Sequence, residues 1–140
     1  MYSLHQTYFL TLKRLDSRLQ KTQNLTFSRF LILLSFHCKG TISQQNVANF
    51  LHLTEATVSR HINGLTKEGL LKKTINVKNR REHILSLTDK GKEAFKRAHD
   101  EIESELEILF DHVTTKERDS TSIVFEKIIT KLNDTPPFKK

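Results

Sequence analysis

A chain of 140 residues with 23 lysines and arginines against 16 acids, a formal charge of +7 and a sequence pI near 9.6, implies a single domain with an anionic partner. Its one cysteine, Cys38, excludes an intramolecular disulfide framework, and no charged, apolar, small-residue signal opens the chain, so a cytoplasmic protein is expected. The most apolar stretch, Phe27 to Phe36, is broken by Arg29 and falls far short of the ~20 residues that span a bilayer, which makes it a core helix and excludes a membrane anchor.

In chain order, Tyr8, Leu12, Leu15 and Leu19 recur at helical spacing with Lys13, Arg14, Arg18 and Lys21 between them, predicting a first helix that is basic on its wet side. Thr26 can cap a second helix, Phe27 to about Cys38. There Phe30, Leu31 and Leu34 share a face that Ile32, Leu33 and Phe36 widen, so burial on most sides is expected. Gly40 ends it, Thr41 and Ile42 can add a short strand, and Ser43 caps a third helix, Gln44 to about Leu51, with Val47, Ala48 and Leu51 inward.

After a turn at His52 and Leu53, the stretch Thr54 to Leu71 reads as a helix with two working faces. Val58, Ile62 and Leu65 fall on one side; Ala56, Arg60, Asn63 and Lys67 fall on the other. Thr54 can cap its start and Gly69 can supply the left-handed residue that stops it. An outward face that is small at its start and then cationic or amide-bearing suits insertion into the DNA major groove, the alternative being an amphipathic helix with a solvated face. Two helices joined by so short a turn make a helix-turn-helix.

Leu71 to Asn76 and His83 to Leu87 alternate well enough to form a β-hairpin, with the cationic stretch VKNRRE at its tip. Lys78, Arg80 and Arg81 would be poor core and good phosphate or minor-groove contacts. Thr88 then caps a long helix from Asp89 to about His112, with Ala94, Phe95, Ala98, Ile102, Leu106, Leu109, Phe110 and Val113 at apolar positions. Its second half carries Asp100, Glu101, Glu103, Glu105, Glu107 and Asp111, acids expected to point away from DNA phosphate. Thr114 and Glu117 form a capping box, Ile123, Val124, Ile128, Ile129 and Leu132 mark a last helix, and Pro136 and Pro137 end it before a short basic tail.

From Leu25 to about Leu132 this order resembles the MarR family of bacterial transcriptional regulators. The resemblance rests on LTFSRFLILL, on ISQQNVANFLHLTEATVSRHINGLTKEGLLKK, on the wing ending in NRREHILSLTDKG and on the capped helix after VTTKE. It implies a mainly α fold with a small β-hairpin wing: a winged helix-turn-helix over 26–88 with flanking dimerisation helices at 1–24 and 89–134, and a tail at 135–140, all in one domain. It also implies a homodimer on a pseudo-palindromic operator. Family members usually carry an aspartate two residues before the wing-tip arginine, whereas Asn79 precedes Arg81 here, giving an acceptor without charge. Some relatives sense oxidants through a cysteine of the first helix; Cys38 lies at the end of the second, where an apolar setting would keep it unreactive. Others bind small, often aromatic, anionic effectors between the dimerisation helices and the winged part.

No Gly-rich phosphate loop, paired-cysteine motif or nucleophile elbow occurs, so an enzyme is not expected and no cofactor is implied. His99 and Glu103 have ligand-compatible spacing, which by itself does not make a metal site. The expected partners are double-stranded DNA, a second copy of the chain and an effector that the sequence does not identify. The DNA-contacting set is Ser43, Gln44, Thr57, Ser59, Arg60, Asn63, Lys67, Lys78, Arg80 and Arg81. The alternative is a winged-helix module that binds protein and not DNA.

Overall fold

The structure, a computed structural model, describes residues 2–75 and 83–134. The element order is α1 (Tyr2–Gln23), α2 (Phe27–Lys39), α3 (Gln44–Leu51), α4 (Glu55–Lys67), β1 (Leu71–Ile75), β2 (His83–Leu87), α5 (Asp89–Phe110) and α6 (Thr115–Asp134). The chain divides into two compact units, Met1–Ser104 and Glu105–Lys140.

The first unit is built on α2. Phe30, Ile32, Leu33 and Phe36 are buried, and Ser35, buried among them, satisfies its hydroxyl on the Ile32 carbonyl at 2.7 Å. Leu15 and Leu19 of α1, Val47 and Ala48 of α3, Val58, Ile62 and Leu65 of α4, and Phe95, Ala98 and Ile102 of α5 are buried as well. At about 1.5–3 kcal/mol for each large side chain, this core dominates the stability of the unit. The α1–α2 break falls at Asn24, in the left-handed region at φ 51°, and Asp16 fixes the turn by accepting the Phe27 amide at 2.7 Å. Tyr8, expected to lie inward with Leu12, Leu15 and Leu19, is 65% exposed, because the buried stripe of α1 begins only at Leu15.

The caps fall where the hydroxyl residues predicted them. Thr26, Ser43 and Thr54 each sit in extended backbone and accept the amide three residues on. Ile42 forms a single antiparallel bridge to Leu85, the short strand expected beside Thr41. Within the stretch Thr54 to Leu71 the helix stops where Gly69 was expected to stop it: α4 ends at Lys67, Gly69 is left-handed at φ 74°, and Leu70 and Leu71, beyond the helix, drop into the core. Strand β1 pairs antiparallel with β2, Leu71 opposite Leu87. The expected wing tip, with Lys78, Asn79, Arg80 and Arg81, lies outside the described residues, as do Pro136 and Pro137.

Thr88 then does more than cap α5. Its hydroxyl accepts the Gly91 amide at 3.0 Å and donates to the Gly69 carbonyl at 2.6 Å, while its amide donates to the Leu70 carbonyl at 3.1 Å. Lys90 adds a 2.8 Å bond to the Glu68 carbonyl. The last-turn carbonyls of α4 are taken by the amides of Glu68, Gly69 and Leu70, and the carbonyls of those three residues, in the turn that follows, are satisfied by the start of α5.

In the second unit Thr114 and Glu117 form the predicted capping box. Glu117 Oε2 accepts the Thr114 amide at 2.9 Å and its hydroxyl at 2.6 Å, and these bonds hold the Glu117 carboxyl below its ordinary range. Arg118 ties the turn by donating to the carbonyls of Phe110 and Val113. Glu105, the first residue of this unit, is buried. No residue of α6 is buried; Ile123, Val124, Phe125, Ile128, Ile129 and Leu132 all face solvent in the single chain.

Candidate nucleic-acid interface

Helix α4 is short, strongly two-sided and fixed at both ends. Its inner stripe, Val58, Ile62 and Leu65, is 0–3% exposed, whereas Ala56, Arg60, Asn63 and Lys67 on the opposite face are exposed. With side chains at i, i+4, i+7 and i+11, the four make one continuous row along the axis. Thr57 and Ser59 flank the row, and Thr57 shares a 2.9 Å hydroxyl contact with Thr54, the cap of the same helix. A row that starts small and continues with a guanidinium, an amide and an ammonium can enter a groove, hydrogen-bond base edges and hold phosphate beyond them.

Two elements set the attitude of this helix. From α3, Gln44 Nε2 donates to the Glu55 carbonyl at 3.4 Å, so the start of α3 is tied to the start of α4. Ser43 spends its acceptor on the Asn46 amide at 3.2 Å. From α2, Arg29 Nη2 meets Glu68 Oε2 at 2.6 Å. Neither Arg29 nor Glu68 was among the residues predicted for the site. The signal was the lone charge that interrupts the most apolar helix of the chain, a position where a guanidinium needs a partner to be tolerated.

His61, on the flank of α4, is held below its ordinary pKa by burial first and then by the charges of Arg29 and Arg60. On β1, Lys72 and Lys73 are exposed and extend the cationic surface toward the wing. Of the ten predicted contact residues, five stand on α4, Ser43 and Gln44 stand at the start of α3, and Lys78, Arg80 and Arg81 lie outside the described residues.

A second feature of the first unit is a cleft of about 560 Å³ along α2 and α5, lined by Leu34, His37, Cys38, Lys92, Phe95 and His99 among others. Its aromatic wall is His37, Phe95 and His99: His37 stacks on Phe95 at 4.3 Å between centroids and His99 lies 5.7 Å from the same ring, on which the buried Phe30 also stacks at 5.6 Å. Cys38 is exposed at this cleft, contrary to the apolar setting expected for it, because α2 runs on to Lys39 and its last turn leaves the core. His99 and Glu103 approach only to 4.0 Å, and among the described residues no group of three or more His, Cys, Asp or Glu side chains could hold a metal ion. Among the same residues no helix is long and apolar enough to cross a membrane.

Comparison with known proteins places this geometry. The sequence model of the MarR family matches residues 25–83, the segment from α2 to the start of β2. The uncharacterized HTH-type transcriptional regulator YwaE of Bacillus subtilis is 25% identical over 122 residues, covering 87% of this chain and 71% of that protein. Among solved structures, the transcriptional repressor CouR bound to a 23-mer DNA duplex superposes with a TM-score of 0.83 at 24% identity, covering 91% of this chain and 90% of the other. A mutant MarR from E. coli, complexed with operator DNA, superposes at 0.81 with 19% identity and 91% of each chain covered. The shared fold is the winged helix with flanking helices that the sequence pattern predicted.

Proposed function

We infer that this chain, a member of the MarR family through the match over residues 25–83, is a sequence-specific double-stranded DNA-binding transcriptional regulator. It works as a homodimer on a pseudo-palindromic operator and represses by occluding a promoter. The observation that carries the reading is the exposed row Ala56, Arg60, Asn63 and Lys67, on a helix whose other face is fully buried and whose two ends are tied to α3, α2 and α5. Rigid presentation of such a row is what base readout requires, since a misplaced donor forfeits its bidentate geometry.

Within this reading Thr57, Ser59, Arg60 and Asn63 contact base edges or nearby phosphates, and Lys67 contacts the DNA backbone. Ser43 and Gln44 hold a phosphate at the start of α3, and Lys78, Arg80 and Arg81 serve the minor groove or flanking phosphates. The exposed apolar residues of α1 and α6 are covered by the second subunit, because Tyr2, Leu4, Phe9 and Leu10 on one helix and Ile128 and Leu132 on the other would otherwise stand in water. The aromatic cleft at Phe95, with Lys92 and Lys96 beside it, suits the small aromatic anion that the family resemblance implies. The protein is a regulator and not an enzyme.

The test is fluorescence anisotropy with duplexes tiling the DNA around the protein's own gene, at physiological salt, with a shuffled duplex as reference. One tile is expected to bind at least about a thousandfold more tightly than the reference. Uniform weak binding to every duplex would refute specific readout, and no binding to any would favour a protein-binding winged helix.

A further inference from the structure

We propose that α4 reads a half-site core of about four base pairs in which a thymine methyl lies against Ala56 and Thr57, a guanine against Arg60 and an adenine against Asn63. This rests on the reading of α4 as the groove helix, and adds to it which bases the helix selects and in what order.

What each side chain offers DNA is decided by the partners it already has. Thr57 is half-buried and its hydroxyl is turned back on the cap: Oγ1 lies 2.9 Å from Thr54 Oγ1, which also accepts the Thr57 amide at 3.3 Å. A hydroxyl held in that pair is a poor probe of base edges, so the γ-methyl on the same Cβ is left as the contact group of Thr57. Ala56, exposed on the row, adds a second methyl one residue earlier. Two adjacent methyls match the C5-methyl of thymine, an apolar mark that cytosine lacks. Glu55 in the same turn is exposed and acidic, so this end of α4 repels phosphate and is not a backbone anchor.

Arg60 and Asn63 are the opposite case. Both are exposed, and among the described residues neither side chain makes a hydrogen bond or an ion pair. The whole fork of Arg60 is left for the O6 and N7 acceptors of guanine. The amide of Asn63, a donor beside an acceptor, is left for N7 and N6 of adenine. The helix then sets the order. Ala56, Arg60 and Asn63 fall at i, i+4 and i+7, roughly 6 Å and then 4.5 Å apart along the axis. Against a rise of about 3.4 Å per base pair this covers about three steps, with the guanine between the thymine and the adenine.

Anisotropy on the tightest duplex of the tiling series tests the assignments. Deoxyuridine replaces each thymine in turn, 7-deazaguanine each guanine and 7-deazaadenine each adenine, so that one methyl or one N7 acceptor is removed while base pairing is kept. One thymine per half-site is expected to weaken binding about fourfold for each half-site substituted, the worth of one buried methyl. The sensitive guanine and adenine should follow it in that order within about four base pairs. The ratio of thymine to uracil affinity is then measured in variants, where it cancels any general loss of stability or charge. It should fall in Ala56→Gly and in Thr57→Ser, each of which removes one methyl, and reach about one in the double variant. It should persist in Thr57→Val, which keeps the methyl and removes the hydroxyl. Specific binding with no thymine sensitive to uracil, or a ratio unchanged in the double variant, overturns the methyl contact and leaves DNA binding standing. A ratio lost in Thr57→Val and kept in Thr57→Ser assigns the readout to the hydroxyl and overturns the methyl contact likewise. Sensitive bases in another order overturn the assigned sequence of bases. Equal binding of every duplex overturns the reading of α4 itself, and this proposal with it.

Discussion

Arg29 of α2 and Glu68 at the C-cap of α4 meet at 2.6 Å, yet they share the contact unequally: the arginine side chain is 17% exposed and the glutamate 51%. The same guanidinium lies 3.9 Å from where a Cβ at Gly64 would sit, so it packs across the last turns of α4 as well as pairing with its cap. Breaking the pair from either side is therefore not equivalent. Glu68→Ala strands a guanidinium that water reaches poorly and should cost about 1 kcal/mol, a value held down by the exposure of Glu68. Arg29→Met keeps the stem and leaves a carboxylate that water can solvate. Urea unfolding should find the Arg29→Met/Glu68→Ala double variant more stable than Glu68→Ala alone; the reverse order would show that the pair is not what tolerates the charge in α2.

His61 gives that region a pH dependence. Its pKa in the fold is below the ordinary 6.5 because burial, Arg29 and Arg60 all oppose its charged form. Between those two values the unfolded chain binds a proton that the folded chain does not, so stability falls as pH drops through that window and levels off below it. His61→Gln should remove this loss, and Arg29→Met should move the imidazole titration upward in NMR. An unchanged titration in Arg29→Met would mean that burial and Arg60 suffice.

Gly91 is fixed by space and not by backbone angle. A Cβ there would stand 2.0 Å from the Leu70 carbonyl oxygen and 3.2 Å from Leu87 Cδ2. The carbonyl cannot step aside easily, since it already accepts the Thr88 amide at 3.1 Å. Gly91→Ala should cost at least about 1–3 kcal/mol in chemical denaturation, despite the better helix propensity of alanine.

Assembly should follow the apolar faces. Sedimentation at micromolar concentration should give twice 16.3 kDa, and Ile128→Glu should shift the protein to the monomer, because a charge would enter an apolar contact. A monomeric parent protein would contradict the homodimer and leave the face of α6 without a role.

The groove helix should separate readout from attraction. Arg60→Ala should lose roughly 1–3 kcal/mol on the operator and relax preference at one position per half-site. Lys67→Ala should instead reduce the salt slope by about two in a dimer, one phosphate contact per subunit, with sequence preference kept. Equal losses on operator and shuffled DNA for both variants would contradict this division.

The sequence by itself determined the element order, the caps and the two faces of α4, because these rest on local chemistry. Thr26, Ser43, Thr54 and Thr114 cap amides three residues away or less, and helical periodicity alone sorts Val58, Ile62 and Leu65 from Arg60, Asn63 and Lys67. Distances in space were another matter. That Arg29 reaches Glu68 across 39 positions, that Lys90 and Thr88 close the end of α4, and that Gly91 must pass the Leu70 carbonyl depend on how α2, α4 and α5 pack. The exposure of Tyr8 and Cys38 belongs with them. Spacing along a helix fixes which residues share a face, but only the packed neighbours decide whether that face meets protein or water.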